Sequence, residues 1–181
     1  VLNMLEKSGV HGMTKLAEGA EVTATFTPDN KLVYAITNLG RDKSALVLMD
    51  PATCEELEQL YTNDKYDLGG LWYSDAQKKL LGVSYEGHKG KTRYFFDKAT
   101  EEMLGRMERH LRGYEIGIGG SNKAEDKYIV YAGGDRTMGA YYFYDVKSDT
   151  MTKLADLAPW IDEQQMAEMT PVTYTSRDGL E

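Results

Sequence analysis

Residues 25–51 read TFTPDNKLVYAITNLGRDKSALVLMDP, and the order of structural signals in this stretch returns twice further along the chain. A turn, a strand, a charged loop, a second strand and another turn follow one another. The first turn begins at a hydroxyl residue in each copy, at spacings of 47 and 47: Thr27, Ser74 and Ser121. The second strand ends at an aspartate, at spacings of 47 and 48: Asp50, Asp97 and Asp145. A strand-rich repeat of this length predicts the blades of a β-propeller.

The strands between these anchors are short runs of aliphatic and aromatic residues. They are Leu32–Thr37, Leu80–Tyr85 and Tyr128–Gly133, then Ala45–Met49, Thr92–Phe96 and Ala140–Tyr144. In the first full blade we expect four antiparallel strands, at Val22–Phe26, Leu32–Thr37, Ser44–Met49 and Glu56–Tyr61. The predicted fold class is therefore all-β, a partial β-propeller of about three and a half four-stranded antiparallel blades.

The blade boundaries follow from the repeat. A half blade is expected at 1–19, and full blades at 21–61, 68–112 and 114–156. The motif MTKLA occurs at 13–17 and again at 151–155, where we predict the outermost strand of a blade. Residues 157–170 form a predicted linker with one helical turn, and Pro171–Thr175 reads as a strand that begins a further segment, 171–181.

The second blade departs from the pattern at Ala99–Leu111, where an outer strand is due. Its apolar residues fall on one helical face: Met103, Leu104, Met107 and Leu111. Thr100 is a candidate N-cap, Glu101 and Glu102 suit the first turn, and Gly113 can end the helix. We predict one helix that replaces the outer strand and packs on the blade.

Composition narrows the function classes. The chain has 181 residues and a net charge of −8, which disfavours nucleic acid as a partner because phosphate binding needs clustered Lys and Arg. No apolar run approaches the roughly 20 residues that span a bilayer, so a soluble chain with no membrane partner is expected. The single Cys54 excludes an internal disulfide. Composition leaves the cellular compartment open.

Two sets of residues suggest a catalytic or metal site, but the sequence around them does not support either one. Gly82-Val83-Ser84-Tyr85-Glu86 resembles the G-x-S-x-G elbow of serine hydrolases, yet it lacks the final glycine and lies inside a predicted strand. The histidines have no Cys or carboxylate at metal-ligand spacing: His11, His88 and His110. We therefore predict no catalytic residue, no metal and no cofactor in this chain.

Charged loops between the two middle strands of each blade are the strongest site candidates. They carry Asn38, Arg41, Asp42 and Lys43 in the first blade, Glu86, His88 and Lys89 in the second, and Asp135 and Arg136 in the third. Because these loops are in register, they would project from one rim of the propeller. They are either ordinary solvated loops or a surface that faces a substrate or a partner domain.

Three segments carry a family resemblance: NLGRDKSALVLMDP at 38–51, YDLGGLWYS at 66–74 and PVTYTSRDGLE at 171–181. Together with the repeat they resemble the prolyl oligopeptidase family of serine peptidases, nearest to its dipeptidyl aminopeptidase and acylaminoacyl-peptidase branch. The resemblance implies that the propeller gates or positions peptide substrates for a C-terminal α/β-hydrolase domain of the same protein. The Ser-Asp-His triad of the family would then lie beyond Glu181, and this chain alone would be inactive.

Two further expectations complete this reading. Some dipeptidyl peptidases hold the substrate amino terminus with a glutamate pair on a propeller helix, but Glu101-Glu102 lacks the aromatic neighbours of that motif and has an ordinary helix-dipole explanation.

Three blades are too few to close a ring, so we expect a fragment of a larger protein that self-associates, with a dimer as the simplest form. The alternative function is a protein-binding scaffold with no enzymatic domain.

Overall fold

The computed structural model describes residues 22–88 and 90–179 of the chain. The half blade predicted at 1–19 and the loop residue Lys89 lie outside the described residues. Within them, the fold is all-β, with three antiparallel sheets and one α-helix. The all-β class is thus confirmed. None of the three sheets closes on itself, and the propeller stays a prediction.

The first sheet is a meander of four strands in the order β1-β2-β3-β4. The strands are β1 (Val22–Phe26), β2 (Val33–Thr37), β3 (Ala45–Met49) and β4 (Glu56–Thr62). These bounds differ from the predicted ones by at most one residue. Short β-branched and aromatic runs between strong turn signals explain that agreement.

The second sheet has three strands followed by the helix. They are β5 (Leu68–Ser74), β6 (Lys79–Gly87), β7 (Gly90–Phe95) and α1 (Lys98–His110). The predicted helix is thus present, at the point in the chain where the other two sheets have their fourth strand. The predicted cap was wrong: Asp97 caps the helix, since its Oδ2 accepts hydrogen bonds from the Thr100 amide at 2.9 Å and the Thr100 hydroxyl at 2.6 Å.

The third sheet again has four strands, with β11 at one edge and β8 at the other. They are β8 (Glu115–Ser121), β9 (Lys127–Gly134), β10 (Thr137–Asp145) and β11 (Thr150–Asp156). The outer strand contains the MTKLA motif at the predicted place.

Most of the repeat anchors satisfy backbone groups in the turn that follows, but in the third copy Asn122 takes this role in place of Ser121, and its Oδ1 accepts from the Asp126 and Lys127 amides at 3.1 Å each. The Thr27 hydroxyl accepts a hydrogen bond from the Leu32 amide at 3.1 Å, and the Ser74 hydroxyl accepts one from Gln77 at 2.9 Å. Asp50 and Asp145 accept amide hydrogen bonds two residues ahead, at 2.7 Å and 2.9 Å. Short polar side chains are needed because such turns leave backbone donors unpaired.

Both faces of the central strands of the first sheet, β2 and β3, are buried. On one face Ile36 and Leu46 pack with Leu68 and Val83 of the second sheet. The opposite face buries a second cluster: Val33, Ala35, Ala45, Val47 and Met49. Strands buried on both faces read as continuous apolar runs, which is the pattern of ALVLM in β3.

The chain divides into two compact units, Val1–Thr100 and Glu101–Glu181. Most of α1 therefore belongs with the third sheet's unit, although its apolar stripe was expected to pack on the second blade. At its C-terminal end, the His110 ring lies 6.1 Å from the Tyr144 ring, and His110 Nε2 is 3.2 Å from Asp149 Oδ1. Tyr144 is fully buried, and burial raises the pKa of its hydroxyl to about 12.

The segment after the third sheet contains the one helical turn that was predicted, a 3-10 helix at Glu163–Gln165. The strand predicted at Pro171–Thr175 was wrong, because these residues have no regular structure. Val172 and Tyr174 are 82% and 76% exposed. Strand-forming residues need a neighbouring strand to bond with, and the described residues supply none here.

Candidate functional site

The loop between β2 and β3 carries the first group of predicted site residues. The Arg41 amide donates to the Asn38 carbonyl at 3.1 Å, which closes a tight turn. Gly40 within it has φ +70°, a backbone conformation that favours glycine. The turn presents Asn38 and Asp42 to solvent.

Arg41, one of the predicted site residues, is already paired within its own sheet. Its guanidinium forms an ion pair with Glu56, the first residue of β4. The two side chains are only 26% and 23% exposed, and Arg41 Nη1 and Glu56 Oε1 are buried with no hydrogen-bond partner. Arg41 is therefore held against its own sheet, with its charge already matched.

A cleft of about 400 Å³ opens beside this loop, between the first and second sheets. Its lining comes from both sheets: Thr23, Ile36, Asn38, Asp42, Ser44, Asp67, Leu68 and Gly69. Ser44 fixes the junction, because its amide donates to Asp67 Oδ1 at 2.7 Å and its hydroxyl accepts from the Leu68 amide at 2.6 Å. Two of the predicted residues, Asn38 and Asp42, thus share one concave surface.

The chemistry of the cleft is acidic and polar over an apolar floor. Asp42 and Asp67 supply carboxylates, and Ile36 and Leu68 are buried beneath them. Lys43 lies 3.3 Å from the Asp42 carboxylate and neutralises part of that charge. The lining favours groups that donate hydrogen bonds or carry positive charge, and it disfavours phosphate and other anions.

The second loop lies at the end of the β6–β7 hairpin and does not line the cleft. Glu86 is exposed there. The His88 ring meets Tyr66 edge-on at 6.5 Å, and Tyr66 in turn stacks on Tyr85 at 5.6 Å. The sequence predicted the histidine but not its aromatic partner Tyr66, which comes from the loop before β5, whereas Tyr85 lies in β6, the strand that leads into His88.

The third loop, between β9 and β10, holds the chain's own exit segment, which we define as residues 162–169. Asp135 Oδ2 accepts a hydrogen bond from the Met169 amide at 2.6 Å, and Arg136 Nε donates to the Glu163 carbonyl at 3.2 Å. The Tyr114 hydroxyl donates to the Glu163 carboxylate, at 2.9 Å to Oε2 and 3.2 Å to Oε1. We call Tyr114, Asp135 and Arg136 the exit clamp.

The exit clamp lies at the end of the third sheet at which β11 finishes. In an antiparallel meander, the loop between the second and third strands lies at the same end as the exit from the fourth. The contacts of Asp135 and Arg136 with the exit segment show this arrangement. Tyr114 was not predicted, since it precedes β8 and no spacing links it to Glu163. The Glu163 carboxylate raises the pKa of the Tyr114 hydroxyl above its ordinary value.

The motifs set aside on sequence grounds have structural roles. Ser84 lies within β6, paired with Gly70 on one side and Arg93 on the other, so it is not on a nucleophile elbow. A Cβ at Gly82 would lie 2.5 Å from the Tyr94 carbonyl, so the glycine serves close strand pairing. Glu101 is exposed in the first turn of α1, whereas Glu102, also exposed, lies just beyond that turn, in contrast to the prediction.

Comparison with known proteins adds no family. A scan of protein-family models and a search of curated proteins both find no match to this chain. Across residues 22–88 and 90–179, no group of three or more His, Cys, Asp or Glu side chains could hold a metal ion. In the same residues, no helix has the length and apolar character required to cross a membrane.

Proposed function

We propose that this chain is the non-catalytic propeller segment of a serine peptidase that resembles the prolyl oligopeptidases. In this role it positions peptide substrates for a C-terminal α/β-hydrolase domain of the same protein. The observation that carries the proposal is the repeat itself. Three successive antiparallel sheets have an aspartate at the end of their third strand that accepts a hydrogen bond from an amide further along the chain, and the third sheet is followed by an exit segment and the motif PVTYTSRDGLE.

The packing of the first two sheets supports the propeller part of the proposal. Neighbouring blades of a propeller pack face to face through apolar residues, with loops gathered at the two ends. Ile36 and Leu46 pack on Leu68 and Val83 in this manner. The partial propeller would have about three and a half blades, and α1 would take the place of the outer strand in one of them.

In each sheet, the loop between the second and third strands would face the substrate. Asn38 and Asp42 line an acidic cleft that suits the amino groups and amides of peptides. Arg136 and Asp135 already hold main-chain groups of the exit segment. A surface of this kind selects peptides by hydrogen bonding and charge and performs no chemistry.

The test uses the full-length product of the gene and compares the two ends of the first sheet. Asp42→Asn removes charge from the cleft, whereas Lys31→Ala removes charge from the exposed β1–β2 turn at the opposite end. We expect kcat/KM for aminoacyl- and dipeptidyl-nitroanilides to respond to Asp42→Asn and to ignore Lys31→Ala. A response to Lys31 alone would mean that the opposite rim faces the hydrolase.

The same assay distinguishes residues 1–181 on their own from the full-length gene product. Residues 1–181 on their own should hydrolyse none of these substrates. Turnover by the purified chain that persists through repeated purification and resists serine-hydrolase inhibitors would contradict the proposal. A full-length product that lacks any G-x-S-x-G segment after residue 181 would favour a second function, a protein-binding scaffold. The exit clamp supports that second function too, because it already holds a peptide segment.

A further inference from the structure

The exit clamp holds its segment largely through groups that any peptide could supply. Asp135 binds the amide of Met169, and Arg136 binds the carbonyl of Glu163. Both are main-chain contacts and are independent of the side chain presented. Only Tyr114 contacts a side chain of the segment, since its hydroxyl donates a hydrogen bond to the Glu163 carboxylate.

The exit segment has little else to hold it in place. The 3-10 helix at its start has no buried residue, and Met166 and Met169 are 43% and 76% exposed. Three polar contacts near the surface contribute modestly to stability, since water competes for each of them. Local opening of such a segment costs far less than unfolding of the sheet.

We propose that the exit clamp is a peptide-binding site, which the exit segment fills in cis and from which an acidic peptide in trans can displace it. This inference rests on the proposed function, because peptides are the class of ligand expected at that rim. The ligand class follows from the contacts: a carboxylate side chain for Tyr114, a main-chain carbonyl at the same residue for Arg136, and a free amide six positions later for Asp135.

The clamp discriminates by charge at one position. A hydrogen bond from a phenol to a carboxylate is stronger than one to a neutral amide. Glutamate is therefore preferred to glutamine opposite Tyr114. Proline is excluded opposite Asp135, because it has no amide hydrogen to donate.

The probe is a peptide with the sequence of residues 160–172, WIDEQQMAEMTPV, blocked at both ends and carrying a fluorophore. It is titrated into the wild-type chain and into the Glu163→Ala chain, with anisotropy as the readout. Glu163→Ala removes the side-chain contact in cis but leaves the clamp intact. The peptide should bind the variant about tenfold more tightly, as expected when a competitor loses one charge-assisted hydrogen bond.

Matched variants establish where the peptide binds. In the Glu163→Ala background, Tyr114→Phe should weaken binding about tenfold. Tyr141→Phe, at an exposed tyrosine on β10 that has no hydrogen bond to the exit segment, should leave binding unchanged. A peptide with glutamine at the position of Glu163 should bind more weakly than the parent peptide. Circular dichroism confirms that each variant retains its sheet.

Three results would overturn the inference: no saturable binding to the Glu163→Ala chain, equal affinity for the wild type and the variant, or indifference to Tyr114→Phe. Because no hydrolase domain takes part in this titration, its failure leaves the peptidase proposal standing. Loss of the peptidase proposal would likewise leave the titration result intact.

Discussion

Asp97 offers the most informative test of how the helix is attached to the repeat. Its Oδ2 caps α1 through Thr100, and its Oδ1 accepts from Lys79 Nζ at 2.8 Å. The hydrogen bond from Lys79, and then those from Thr100, lower the pKa of this carboxyl to about 2 from an ordinary value of 3.8. One side chain thus serves as a helix cap and as half of an ion pair.

Two substitutions separate these roles. Asp97→Ala removes both, whereas Asp97→Asn keeps a capping oxygen and removes only the charge. Loss of a cap costs about 1 kcal/mol. The ion pair adds less than about 1 kcal/mol because Lys79 is 44% exposed and water screens it. We therefore expect Asp97→Ala to destabilise by about 1.5 kcal/mol and Asp97→Asn by about half of that.

The pH dependence has a definite sign. A carboxyl whose pKa is depressed by folding contributes stability above its unfolded value and loses it as pH falls through the folded value. The contribution of Asp97 should therefore be complete above about pH 5 and disappear towards pH 2. The gap in stability between the wild type and Asp97→Asn should close over the same range.

The measurements are urea unfolding followed by circular dichroism at 222 nm, and hydrogen exchange of the Thr100 amide at several pH values. Exchange is the sharper readout, because it reports the first turn of α1 directly. If Asp97→Asn were as costly as Asp97→Ala at pH 7, the cap would depend on charge and not on oxygen geometry. If the gap persisted at pH 2, the assigned pKa shift would be wrong.

Two further predictions concern packing. Gly82→Ala should destabilise the protein by about 1–3 kcal/mol, because the added methyl group would clash with the Tyr94 carbonyl. Gly120→Ala is the control, since a methyl group there meets no atom within 4 Å. Equal melting temperatures for the two variants would refute the close approach at Gly82. Met107→Asp should destabilise the protein by about 3 kcal/mol or more, because it places an unpaired charge at a fully buried position. The control is Glu108→Ala, at an exposed position of the same helix. If Met107→Asp had the same melting temperature as this control, α1 would be solvated.

The sequence predicted the strands well because their determinants are local. β2 and β3 are short apolar runs bounded by turn residues, and the turn anchors Thr27 and Asp50 satisfy backbone groups only a few residues away. A spacing repeated in three copies adds evidence that no single copy could supply. Register and strand ends follow from these local signals.

The errors arise where distant residues decide the outcome. Pro171–Thr175 has the composition of a strand, but a strand also needs a partner that composition does not encode. The sequence placed Arg41 among the candidate rim residues and gave no sign that the fold brings Glu56 of another strand beside it. The cleft and the exit clamp likewise join residues far apart in the chain, and a single sequence carries no signal for such pairs.

The aspartate at the end of each third strand makes the element after it exchangeable. Asp50 and Asp145 accept amide hydrogen bonds that begin a hairpin, and Asp97 accepts one that begins a helix. The same carboxylate serves either continuation, because both start with an unpaired main-chain amide two or three residues ahead. Evolution can therefore swap an outer strand for a helix without altering the three inner strands. A protein engineer could graft a new outer element at Asp50 or Asp145 on the same terms.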